Sequence, residues 1–188
     1  MRPALFVDKD GTLVDNVPYN VDPALLRPRP GALRALRALQ DAGFAIVVVT
    51  NQSGLARGLF SAAQLQALCE ALHRQLQQEA GVTLTDILHC PHEPGSHGQP
   101  QCLCRKPRPG MLIEAGRRHR LDLARSWMVG DTLDDVEAGH RAGCRSLLYD
   151  SGGETVWRRS SMRWPEKQVT DWDAVVRHIL PECLGKRA

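Results

Sequence analysis

The sequence predicts an α/β fold, a Rossmann-like parallel sheet flanked by helices, and three observations carry that prediction. Strand-like and helix-like segments alternate along the chain, the pattern of strand–helix–strand units. Ile46-Val47-Val48-Val49 is apolar throughout and β-branched, as expected of a strand covered on both faces. The helical segments are bounded by Pro, Ser and Gly where starts and stops belong.

The elements follow in order. Ala4–Val7 is a short apolar strand. Pro30 and Gly31 open a helix with Leu33, Leu36 and Leu39 on one face, and Gly43 closes it. A strand over Ala45–Thr50 comes next. Ser61 and Gln64 form a capping box ahead of a stripe of Leu65, Leu68, Leu72 and Leu76, which Gly81 ends. Strands are expected at Ile87–Cys90, Ser126–Val129 and Arg145–Tyr149. Pro109 opens a helix near Met111–His119, another follows Asp131 and stops at Gly143, and Val175, Val176 and Ile179 suggest a last one after Asp173. The stretch between Leu13 and Thr50 has room for a loop, a helix and a strand but not for an independent lid, so a capless, open site is expected.

Size and composition narrow the class. The 188 residues suffice for one domain with a real core, read as 1–188. A net charge of +3, with the basic residues scattered, gives no nucleic-acid footprint. No apolar run approaches the roughly 20 residues of a membrane span. The chain enters its first strand without the regions of a signal peptide, so a cytoplasmic location is expected.

Four strand ends carry polar motifs. Asp8-Lys9-Asp10-Gly11-Thr12 follows the first strand, and two acids two residues apart there can serve as nucleophile and proton carrier. Thr50-Asn51-Gln52-Ser53-Gly54 offers hydroxyl, amide and backbone donors to a phosphate. Arg105-Lys106-Pro107 supplies a point charge for a phosphoryl oxygen and a fork for a second anionic group. In Gly130-Asp131-Thr132-Leu133-Asp134-Asp135, Asp131 can complete an oxygen shell for Mg²⁺. Singly, each has a plainer explanation: a solvated turn, a polar loop, a surface basic pair, or Asp131 and Asp134 as helix caps.

A fifth cluster is metal-like. Cys90, His92, Cys102 and Cys104 give Cys-x-His-x9-Cys-x-Cys, three thiolates and an imidazole suited to a closed, structural Zn²⁺ site. The loop, over about 89–106, is rich in Pro and Gly and cannot supply its own core. Its expected job is to shape the delivery of Arg105 and Lys106. Among the remaining residues of these types, His89 is read as core-facing, His97 as loop surface, and Cys69, Cys144 and Cys183 as buried thiols.

Together the four motifs resemble the signature of the haloacid dehalogenase (HAD) superfamily of phosphotransferases, over residues 5 to about 150. The resemblance implies that Asp8 attacks phosphorus to form an aspartyl-phosphate, and that Asp10 protonates the leaving oxygen and then activates water. It further implies Mg²⁺ held by Asp8, the Asp10 carbonyl and Asp131, with Asp135 as an outer-shell acid that holds a metal-bound water or Lys106. Thr50 and Lys106 would hold the equatorial oxygens. With the metal loop added, the chain looks like the D-glycero-D-manno-heptose 1,7-bisphosphate 7-phosphatase group, which includes histidinol-phosphate phosphatases. That likeness implies substrate contacts from Asn16, Val17, Pro18, Tyr19, Thr50, Asn51, Gln52, Ser53, Arg105 and Lys106. Two departures bear on the sugar end: Thr132 stands where the group often carries Lys, and the metal loop is shorter than in many members. The segment Gly152–Arg159 reads as a solvated basic loop, with a replacement cation for a second phosphate as the alternative.

The expected protein is therefore a Mg²⁺-dependent phosphomonoesterase with structural zinc, acting on a small phosphorylated sugar. The expected substrate is heptose 1,7-bisphosphate, for a heptose-containing glycan such as lipopolysaccharide. Histidinol phosphate is the runner-up. A phospho-acceptor switch on Asp8 and a zinc-binding interaction module are the readings from other classes. A monomer is expected, because no apolar stripe is left without a use.

Overall fold

The structure, a computed structural model, describes residues 1–95, 100–158 and 160–184, with only the backbone of 182–184. His97, Arg159 and the Cys183 side chain therefore lie outside the described residues.

Six strands form one parallel sheet: β1 (Ala4–Val7), β2 (Ala45–Asn51), β3 (Leu84–Cys90), β4 (Trp127–Gly130), β5 (Arg145–Tyr149) and β6 (Lys167–Val169). Their order is β3-β2-β1-β4-β5-β6. The helices are α1 (Ala32–Asp41), α2 (Ala62–Ala80), α3 (Gly110–Arg118), α4 (Leu133–Arg141) and α5 (Trp172–Leu184).

Strand alternation sorts the core into two layers. Leu5, Val7, Ile46, Val48 and Val129 face one side, against Leu36 and Leu39 of α1, Leu68, Leu72 and Leu76 of α2, and Val175 and Ile179 of α5. Ala4, Phe6, Val47, Val49 and Met128 face the other, against Met111, Leu112 and Ala115 of α3 and Ala138 of α4. Both faces are covered, which is why the strands read as unbroken apolar runs.

The chain runs outward from β1 to β3, then returns past β1 to lay down β4, β5 and β6. The order thus reverses between β1 and β4, and a crevice opens at their carboxyl ends. Between β1 and α1 the described chain makes turns and one short 3₁₀ turn, Pro23–Leu25, so no cap domain is inserted there.

The Ser61–Gln64 capping box forms as expected: Ser61 accepts from the Gln64 N–H at 3.2 Å and Gln64 accepts from the Ser61 N–H at 2.8 Å. Neither Asp131 nor Asp134 caps α4. Thr132 is the N-cap, and its N–H and hydroxyl both donate to Asp135, at 3.1 and 2.7 Å. The strand β6 was not expected; its three residues are too few and too polar to show a pattern. β3 also begins three residues earlier than expected, at Leu84. His89 does not face the core. It is exposed near the end of the edge strand β3, while its neighbour Cys90 turns inward. Cys69 is only half-buried, whereas Cys144 is buried and its thiol is pushed up to about 12 by that burial.

Two further features frame the site. The indole N–H of Trp172, at the start of α5, donates to the carbonyl of Thr12 at 3.1 Å. The connection from β5 to β6 exposes Val156, Trp157, Met162 and Trp164, an apolar surface that the expectation of no unused apolar stripe did not include. No helix among the described residues is long and apolar enough to cross a membrane.

Candidate active site

The ends of β1, β2 and β4 and the segment after the cysteine-rich loop converge on a cavity of about 760 Å³. Asp8, Asp10, Asn16, Thr50, Asn51, Arg105, Lys106, Asp131, Thr132, Asp134 and Asp135 line one part of it. The connection after β5 closes the other side with Gly153–Val156, Arg158, Ser160 and Arg163.

Asp8 continues β1, its N–H donating to the Val129 carbonyl at 2.9 Å, so its position is fixed by the sheet itself. The chain then turns tightly. The Val14 N–H reaches back to the Lys9 carbonyl at 2.9 Å, and the Gly11 N–H donates to the Val14 carbonyl at 2.8 Å. Gly11 sits at φ +84°, and a Cβ there would overlap the carboxylate of Asp131. Glycine is required on both counts.

Lys106 is the cation at the centre of the acids. Its ammonium contacts Asp8 Oδ1, lies 2.6 Å from Asp135 Oδ1, and donates to the Val49 carbonyl at 3.0 Å. Burial alone would lower its pKa; Asp135 and Asp8 outweigh that and hold it above the usual lysine range. Asn51 fastens the backbone around it, accepting from the Lys106 N–H at 3.1 Å and donating to the Lys106 carbonyl at 3.3 Å. The Lys106–Pro107 peptide is cis.

Negative charge nevertheless exceeds its compensation. Burial pushes the Asp8 carboxyl well above the carboxylate range; Lys106 opposes this, while Asp135, Asp131 and Asp10 add to it. Burial and the neighbouring Asp135 push Asp131 up to about 6, against a hydrogen bond from the Ser151 hydroxyl at 3.1 Å. A Cβ at Gly153, as at Gly11, would overlap the Asp131 carboxylate, so glycines leave it room from two sides. A hard divalent cation fits this surplus of buried carboxylate oxygen: Asp8, Asp131 and the Asp10 carbonyl are donors of the type Mg²⁺ takes.

The four sulfur and nitrogen ligands also converge. Cys90 Sγ lies 3.1 Å from Cys104 Sγ and 3.6 Å from Cys102 Sγ, with 3.4 Å between the latter two. His92 Nδ1 is 3.5 Å from Cys90 Sγ and 3.3 Å from Cys104 Sγ. These separations come close to the roughly 3.8 Å edge of a tetrahedron with zinc–sulfur bonds, so the set fits Zn²⁺. Burial pushes the Cys90 thiol up. It acts the same way on Cys102, but there the Arg105 N–H and the Cys104 and Cys90 thiols outweigh it and bring the group down to about 7. The loop delivers Arg105 directly: its N–H donates to Cys102 Sγ at 3.3 Å and its guanidinium to the His92 carbonyl at 3.0 Å.

Most of the expected site residues meet in the cavity, but Val17, Pro18, Tyr19, Gln52 and Ser53 do not line it. The Tyr19 hydroxyl instead accepts from Arg57 at 2.7 Å, and Arg57 pairs with Glu93 at 3.2 Å, tying three loops together. Gln52 is buried behind the surface of the cavity. Thr132, where a lysine was noted as missing, both lines the cavity and caps α4.

The residues not anticipated lie mostly on the β5–β6 connection. Glu154 accepts from the Leu133 N–H at 2.7 Å, and Arg163 holds Glu137 and Asp134 at 2.6 and 2.7 Å. A glycine-rich stretch followed by basic residues after the last clear strand was the available signal, and it pointed only to Gly152–Arg159.

Comparison with known proteins agrees with this geometry. A HAD-hydrolase-like family model matches residues 103–174. The D-glycero-beta-D-manno-heptose-1,7-bisphosphate 7-phosphatase of Escherichia coli K12 is 38% identical, over 98% of this chain and 95% of that protein. The enzyme of that name from Bordetella bronchiseptica is 37% identical, over 95% of this chain and 98% of its own length. The crystal structure of D,D-heptose 1,7-bisphosphate phosphatase from B. bronchiseptica, complexed with magnesium and phosphate, superposes with a TM-score of 0.81 at 36% identity, covering 97% of this chain and 99% of that one. At this identity, over nearly the full length of both chains, the protein belongs to the HAD-like family of D-glycero-β-D-manno-heptose-1,7-bisphosphate 7-phosphatases.

Proposed function

We propose that this protein is a Mg²⁺-dependent phosphomonoesterase that removes the 7-phosphate of D-glycero-β-D-manno-heptose 1,7-bisphosphate. The observation that carries the reading is the buried cluster of Asp8, Lys106 and Asp131 at the reversal of strand order, with Asp10 beside it at the cavity wall.

Asp8 is the nucleophile. A carboxylate oxygen attacks phosphorus in line, the bond from phosphorus to the sugar oxygen breaks, and Asp10 gives that oxygen its proton. Asp10, now ionised, takes a proton from water as the water attacks the aspartyl-phosphate, which releases inorganic phosphate and restores Asp8. Lys106 and Thr50 bind the equatorial oxygens, and Asn51 keeps Lys106 in place. When bound by Asp8, the Asp10 carbonyl and Asp131, Mg²⁺ neutralises charge so that a carboxylate can approach a phosphate. Asp135 pairs with Lys106 and caps α4, which leaves its outer-shell role beside the Mg²⁺ site open to it. Arg105 faces the part of the cavity left for the sugar and its second phosphate, and the cysteine–histidine set holds Zn²⁺ to shape its loop.

The relatives named above are named for the heptose substrate, which favours it over histidinol phosphate. A general acid two residues from the phosphoacceptor favours turnover over a long-lived switch. We read the protein as cytoplasmic, a compartment that suits reduced, metal-ready thiols; the exposed Val156, Trp157, Met162 and Trp164 take away the ground on which a monomer was expected.

The test is phosphate release with Mg²⁺ from both anomers of heptose 1,7-bisphosphate and from histidinol phosphate. The β anomer is expected to have the highest kcat/KM. A preference for histidinol phosphate overturns the substrate and leaves the chemistry; release from none of the three overturns the enzyme.

A further inference from the structure

Lys9 lies between the two acids of the first motif and has no part in the chemistry described so far. It sits in the turn just beyond β1, outside the lining of the cavity, and is 2% exposed. A lysine this deep persists only when its charge is met. Its ammonium donates to Asp10 Oδ1 at 2.7 Å.

The other oxygen of Asp10 is held as well. Gln52, 5% exposed, donates through Nε2 to Asp10 Oδ2 at 3.0 Å and to Thr50 Oγ1 at 2.9 Å. An amide nitrogen carries two protons, so this fork uses both. The backbone of Gln52 is itself tied to β3, its N–H donating to the Cys90 carbonyl at 2.7 Å. Neither Lys9 nor Gln52 lines the cavity, whereas Asp10 and Thr50 do.

From this geometry we infer that Lys9 and Gln52 are positioning residues that fix the carboxylate plane of Asp10, so that its free lone pairs point at the leaving oxygen and later at the attacking water. The inference deepens the phosphatase reading and rests on it. One donor on each oxygen stops the carboxylate from swinging about its χ2, the torsion that is otherwise soft in Asp. Gln52 also couples the proton carrier to Thr50, so both sides of the phosphoryl group are set by one amide.

The test compares Lys9→Met, Gln52→Leu and Lys9→Arg on two substrates, the heptose bisphosphate and p-nitrophenyl phosphate. A sugar alkoxide needs a proton to leave; nitrophenolate does not. Misplacing Asp10 therefore slows both steps on the sugar but mainly the second on the aryl ester. For Lys9→Met and Gln52→Leu, kcat on the heptose bisphosphate is expected to fall about 100-fold with KM within about twofold, the scale of a mispositioned group. On the aryl ester these variants should release a burst of nitrophenolate equal to the enzyme present, and acid quench should trap the aspartyl-phosphate. Lys9→Arg, which keeps a donor on Oδ1, should stay within about tenfold of wild type.

Equal losses on both substrates without a burst would mean a structural or purely electrostatic role and would overturn the inference. So would unchanged kinetics, or a change confined to KM. If Lys9→Met does not fold, Gln52→Leu, which leaves the charges intact, decides alone. A wild-type enzyme inactive on both esters fails the phosphatase reading, and the clamp goes with it.

Discussion

Lys106 stands between Asp8 and Asp135 with its ammonium almost wholly out of water, so replacing it removes the one cation that, among the described residues, those two carboxylates share. Breaking a buried pair in this way costs about 3–5 kcal/mol. Lys106→Met should lose about that much stability in urea titrations and lose phosphatase activity. Asp131 gives the opposite sign. Its carboxyl is raised from 3.8 to about 6 without the cation, so the folded state binds that proton more tightly than the unfolded state. The resulting stabilisation is complete below about pH 4 and is lost as pH rises through 6. In magnesium-free buffer, Asp131→Asn should therefore match wild type near pH 4 and exceed its stability by about 2–3 kcal/mol at pH 8, at about 1.4 kcal/mol per pKa unit. A gain that did not grow with pH would show that the carboxylate is compensated in some other way. At this scale the sequence was legible at three strand ends, where Asp8, Asp10, Thr50 and Asp131 reach the cavity; Lys106 reaches it too, but from the segment beyond the cysteine-rich loop and not from the strand end expected for it. It was not legible for Lys9, and it gave Gln52 a different role, a substrate contact. Only the folded turn, which buries the lysine against Asp10, and the amide's fork give these residues a purpose.

The cysteine-rich loop and the β5–β6 connection are the two elements that shape the cavity rather than perform chemistry. The first carries Arg105 and Lys106 immediately beyond its last cysteine, so its order sets where those cations stand. Removing zinc with a thiol-competing chelator should lower kcat/KM and raise amide exchange over residues 100–106. The amides of α2, packed through Leu68, Leu72 and Leu76, should stay protected. Unchanged exchange in the loop would show that it holds its shape without metal. The second element caps α4 through Glu154, and Glu154→Ala should cost about 1 kcal/mol, as a lost cap does. The cysteine–histidine cluster was readable because spacing and residue type coincide. The β5–β6 connection was not, because its contribution comes from the room Gly153 leaves for Asp131 and from long-range ion pairs of Arg163, neither of which leaves a local pattern.

At the scale of the molecule, the fold class was legible because the alternation of segments, the covered strands and the capped helices all agree. What escaped was the last edge of the sheet, β6, where three residues pair with β5 and little apolar surface is buried. Beyond that edge, Trp172 reaches back across the whole chain to the carbonyl of Thr12, inside the turn that presents Asp8 and Asp10. This bond makes the turn of Asp8 and Asp10 answerable to a helix 160 residues further along the chain. Trp172→Phe keeps a ring in the core but removes the donor, and should hydrolyse phosphate esters about 100-fold more slowly than wild type. An unchanged rate would detach the indole from catalysis. A buried core residue on the far side of the sheet's last edge thus acts as a remote brace for the first turn of the fold.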